Sequence, residues 1–177
     1  MAIRQELRPP RRNASCVKRL CCLFTLGAST TLSAQNIPQE LLGKWIIQRE
    51  LSTRTISCWG EKEARAIIGT EIEYTPDSFR WKKVVVQHPS AEVAIVSARQ
   101  FEKDNSSPSA NGSQVSFHQL GIITQEVKQV TIDHSPAKLT GATTEIPGDV
   151  VLLKSRNAIV FSVCNLYFEA KRAVSAP

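Results

Sequence analysis

Few residues in this chain have the type and spacing that chemistry requires. The three histidines, His88, His118 and His134, are scattered, with no cysteine close in sequence, so no metal site is expected. Ser57-Cys58-Trp59-Gly60 offers a thiol, but a nucleophilic cysteine must be free to ionise, and an oxidised partner at Cys164 would silence it. Glu71 and Glu73 fall on one face of a predicted strand, where two carboxylates could share acid–base work. Arg80 and Lys82, expected opposite them, make a solvated charge ladder the simpler reading. The stretch "GATTEIPG" at 141–148 is glycine-rich, yet it lacks the lysine and helix start of a phosphate loop. The pattern therefore predicts a protein that is not an enzyme, with no catalytic residues, no metal and no cofactor.

What remains is a set of aromatics, Trp45, Tyr74, Phe79, Trp81, Phe117, Phe161 and Phe168, at positions that alternate inward along predicted strands. They fill a core, or some of them (Tyr74, Phe79, Trp81, Phe117, Phe161 and Phe168) line a cavity for one small ligand. Period-two patterning rich in Val, Ile, Thr, Phe and Trp predicts strands over 43–51, 69–75, 78–87, 91–98, 113–119, 127–133, 149–154, 158–163 and 166–172. Helix is scarce. Pro38 suits the first position of a single turn. The segment "GEKEARAIIG" at 60–69 reads as one short helix, with Glu61 four residues before Arg65 and Gly69 as its stop.

Two hairpins can be registered from the sequence. Thr75-Pro76-Asp77-Ser78 forms a turn that sets Tyr74 opposite Phe79, Glu73 opposite Arg80, Ile72 opposite Trp81 and Glu71 opposite Lys82. A tight turn at Cys164-Asn165 would set Val163 against Leu166, Phe161 against Phe168 and Ile159 against Ala170. The rival there is one long strand bulged at Cys164. The segment 102–113 reads as a loop, with glycosylation-type triplets at Asn105 and Asn111.

Residues 1–34 have the layout of a secretory signal peptide: six basic residues, a short apolar run "LCCLFTLGAS", then Ala34. That run is too short to span a bilayer, which takes about 20 residues. The segment carries most of the net charge of +6 and leaves 35–177, read as a single domain, near +1. Nucleic acid is therefore not an expected partner. Cys16, Cys21 and Cys22 leave with the signal, so Cys58 and Cys164 are the pair expected to form a disulfide in a secreted or periplasmic protein. Many short strands in meander order favour an all-β, antiparallel up-and-down barrel of eight or so strands.

Within that plan, "LGKWII" at 42–47 and "YFEAKR" at 167–172 carry a family resemblance. A single helical turn, then Gly43-x-Trp45 opening the first strand, with a basic residue ending the last, resembles the lipocalin and wider calycin barrels. The resemblance implies that Gly43 lets the chain enter the barrel tightly and that Trp45 closes its floor. Arg172, or Lys171, would lie across the indole. It implies a secreted binding module for a small apolar or amphipathic molecule; the alternative is an exported interaction protein or enzyme inhibitor acting on a protein partner through its loops.

Overall fold

The structure, a computed structural model, describes residues 36–53, 55–106, 114–134 and 146–174. The expected signal segment and the Asn111 triplet lie outside these residues. Nine strands occur in the order β1 (Gly43–Leu51), β2 (Glu71–Thr75), β3 (Ser78–Trp81), β4 (Val84–Gln87), β5 (Ser90–Ser97), β6 (Glu126–Asp133), β7 (Val150–Ser155), β8 (Ala158–Val163) and β9 (Leu166–Arg172). Helix α1 (Glu61–Arg65) lies between β1 and β2, and α2 (Ala98–Asp104) follows β5. The strands form one antiparallel sheet in the order β4-β3-β2-β1-β9-β8-β7-β6-β5, so every pairing follows the chain except β1 with β9. This is the up-and-down barrel expected. Among the described residues no ladder joins β4 to β5 across the His88-Pro89 corner.

Both registered hairpins form. Tyr74 pairs with Phe79, Glu73 with Arg80 and Ile72 with Trp81. Val163 pairs with Leu166, Phe161 with Phe168 and Ile159 with Ala170. Cys164 and Asn165 both take positive φ, 52° and 61°, the primed turn that matches strand twist, so the long-strand alternative is excluded.

Four expectations are corrected. Residues 78–87 are two strands, because Lys82 turns the chain with φ 51° and pairs Trp81 with Val84. Since β3 stops at Trp81, Glu71 finds Lys44 at 2.8 Å in place of Lys82. The described part of 113–119 is a turn and not a strand, and a second helix, α2, joins the one expected. Both missed pieces begin with Ser-x-x-Gln. The Ser97 hydroxyl accepts from the Gln100 backbone N–H, and Ser116 and Gln119 bond reciprocally, side chain to backbone in each direction. That is the capping-box signature of a helical start.

Two cores result. Alternate residues of all nine strands meet inside the barrel, with Ile37 and Leu41 of the N-terminal turn and with Ala64 and Ile67 in and just after α1. The outward residues Val127, Leu152, Val160 and Tyr167 pack with Phe101 of α2 and with Val115, Phe117, Leu120 and Ile122. Strands β6–β9 are thereby covered on both faces.

Candidate functional site

The barrel floor follows from Gly43-x-Trp45. Gly43 has φ +115°, a region costly for other residues, and a Cβ there would stand 3.0 Å from Arg172 Nη1. The chain can therefore pass close beneath the guanidinium and deliver Trp45, which is wholly buried, to the floor. The indole N–H donates to the Leu41 carbonyl at 2.8 Å, and Arg172 lies 4.2 Å over the ring. Arg172 also donates to the carbonyls of Leu42 at 2.5 Å, Glu40 at 2.6 Å and Arg156 at 3.2 Å. Lys171 is exposed, so Arg172 is the basic partner. With three carbonyls on it, this guanidinium is occupied as a structural tie.

Inside the barrel the described aromatics pack on one another. Tyr74 stacks on Phe79 with centroids 5.2 Å apart, and Phe161 on Phe168 at 5.6 Å, all four at most 1% exposed. The Tyr74 hydroxyl donates to the Gly148 carbonyl at 2.6 Å, and burial, reinforced by Asp149, pushes its pKa well above the phenol range. Trp81 is half-buried and its indole donates to Thr70 Oγ1 at 3.1 Å. Of the six aromatics proposed to line a cavity, these five converge on one core. Phe117 does not: the turn that replaces its expected strand places it on the outer layer, 5.1 Å from Phe101.

A cleft of about 300 Å³ lies on the outer face, between α2 and the sheet. Leu152 and Val160 form its floor, with Val96 and Phe101 as apolar walls. Gln129, Ser162 and Asp104 supply polar groups, and among the described residues Asp104 is the only Asp, Glu, Lys or Arg lining it. Its Oδ1 accepts from Gln100 at 2.7 Å. Gln129 and Ser162 make no intramolecular side-chain hydrogen bond among the described residues. One wall is latched: the Tyr167 hydroxyl donates to Asn105 Oδ1 at 2.8 Å, while Asn105 Nδ2 donates to the Phe101 carbonyl at 2.9 Å. Burial pushes Tyr167 up to about 12. The latch also engages the Asn105 amide that a glycan would need. The pocket was not legible in strand periodicity, because it depends on α2; the Ser97-x-x-Gln100 cap was the available signal.

The remaining chemical candidates are engaged elsewhere. Cys58 and Cys164 form a disulfide, with Cα atoms 5.2 Å apart. Glu71 pairs with Lys44, and Glu73 lies 3.8 Å from Arg80. His134 Nε2 meets Asp149 Oδ2 at 3.0 Å, whereas His88 and His118 are exposed. No group of three His, Cys, Asp or Glu side chains among the described residues could hold a metal ion.

No family model, curated protein or solved structure matches this chain. Among the described residues no helix is long and apolar enough to cross a membrane. The disulfide accords with an extracellular or periplasmic location, where such bonds persist.

Proposed function

We propose that this is an exported, non-enzymatic, lipocalin-like barrel that binds a small amphipathic molecule on its outer face. The observation that carries this is the division of space. The lumen is occupied by stacked aromatics, whereas the cleft beneath α2 has an apolar floor and polar groups with capacity to spare. Its volume sits at the lower end of the roughly 300–1,000 Å³ range of ligand sites. Export rests on the basic and apolar order of residues 1–34 and on the disulfide. The lipocalin-like reading rests on Gly43, Trp45 and Arg172 meeting at the floor.

Native mass spectrometry of protein purified from its own source tests the binding reading. A bound small molecule that is lost in the Gln129→Trp variant is the expected result. Bare protein in both forms, with no small molecule binding to either on addition, sinks it. A second reading draws on the same filled lumen, which suits a protein that engages another protein through its loops. Ile56 and Ile123, 88% and 96% exposed on connecting segments, are the residues for that contact.

A further inference from the structure

Building on the cleft reading, we infer that the cleft beneath α2 selects amphiphiles with a cationic head, such as a primary alkylammonium on a short apolar chain. The apolar part is set by Val96, Phe101, Leu152 and Val160, which give no hydrogen bonds to a ligand body. About 300 Å³ suits a chain of roughly eight carbons better than a long acyl chain. The head is set by charge and by hydrogen-bond type. Asp104 is the one carboxylate among the described lining residues, and Gln100 engages only one of its two oxygens. An ammonium has three donors and no acceptor, so it can use the remaining Asp104 oxygen, the Gln129 amide oxygen and the Ser162 hydroxyl as acceptors. A carboxylate head in the same place would face Asp104 as a like charge. Among the described residues no lysine or arginine lines the cleft to offset that repulsion.

Asp104 is solvent-exposed, so its discrimination is modest. An exposed ion pair contributes at the level of a few-fold in affinity. The expected order is octylammonium about fivefold tighter than octanol, and octanol tighter than octanoate.

The test is a titration of the isotopically labelled protein with octylammonium chloride, octanol and sodium octanoate, all below their micelle concentrations. Amide shifts of Val150, Gln129 and Ser162 are followed. In Asp104→Asn, which keeps an acceptor for Gln100, octylammonium should fall to the affinity of octanol while octanol is unchanged. Gln129→Trp should weaken all three. Octanoate binding as tightly as octylammonium, or a preference that survives in Asp104→Asn, overturns the cationic class while leaving the cleft as a site. If none of the three probes shifts the cleft amides, or Gln129→Trp weakens none of them, the cleft reading falls and the inference with it.

Discussion

Replacing Arg172 by methionine is the sharpest probe of the barrel floor. Methionine keeps most of the apolar stem, so the loss reports on the guanidinium. Three carbonyls and one indole face lose their partner. The Leu42 carbonyl is partly buried, and a hydrogen bond to a charged group there is worth about 1.5–3 kcal/mol. The bonds to Glu40 and Arg156 are exposed, where water substitutes and little is lost. The guanidinium over Trp45 adds about 1–2 kcal/mol because the ring is wholly buried. The sum is about 2–4 kcal/mol, allowing for overlap between the terms. In a domain of this size that lowers Tm by about 6–12 °C.

The assay is urea unfolding followed by far-UV circular dichroism, with an unchanged m-value required before stability is compared. Arg172→Lys should recover only part of the loss, since one ammonium cannot serve three carbonyls and the ring together. A double-mutant cycle with Trp45→Phe should give a coupling of about 0.5–2 kcal/mol. Arg172→Met within 0.5 kcal/mol of the parent, together with no coupling to Trp45, would refute the tie.

Four further outcomes are expected. Removing the disulfide with Cys58→Ser and Cys164→Ser should cost up to about 4.7 kcal/mol, the chain-entropy figure for a loop near the observed separation of 106 residues; two titratable thiols in the denatured, unreduced 35–177 chain would exclude the bridge. Lys154 donates to Glu169 at 2.6 Å and to the Leu120 carbonyl at 3.1 Å, so Lys154→Met should cost about 2–4 kcal/mol in urea unfolding by leaving the Glu169 carboxylate poorly paired. Burial pushes Glu169 up, but Lys154, Arg49 and Lys171 outweigh it and hold the carboxyl below its usual range; its contribution is therefore present above about pH 4 and lost as pH falls through the lowered value, a loss that Glu169→Gln should remove from an acid-unfolding profile. Both tyrosines of the chain have raised pKa values, so phenolate absorbance should stay flat through about pH 10 in the folded protein, and stability should fall above that pH because only the unfolded chain ionises.

Local rules settled much of this molecule. Tyr74 faces Phe79 because Thr75-Pro76-Asp77-Ser78 dictates a turn and a slip by one residue would bury Glu73 and Arg80. Phe161 faces Phe168 because Asn165 tolerates the positive φ its turn requires. The Cys58–Cys164 pairing followed from counting thiols, and the contact of Trp45 with a terminal basic residue from the family resemblance that Gly43-x-Trp45 carries. Each is a short-range constraint or a pairing with few alternatives.

Tertiary structure decided the rest. Alternation says that a residue points to one side of a sheet, but not whether the other side meets water. Alternation along β8 and β9 points Val160 and Tyr167 outward, yet both are buried, because α2 and the 114–122 segment lie over them. Phe117 moved to that outer layer when Ser116 and Gln119 capped a turn where its apolar alternation suggested a strand. Whether the aromatics lined a cavity was likewise a matter of volume. Five of them close on one another in the barrel, and a cleft of about 300 Å³ lies on its outer face. Packing density is a property of all nine strands at once, so no stretch of sequence encodes it alone.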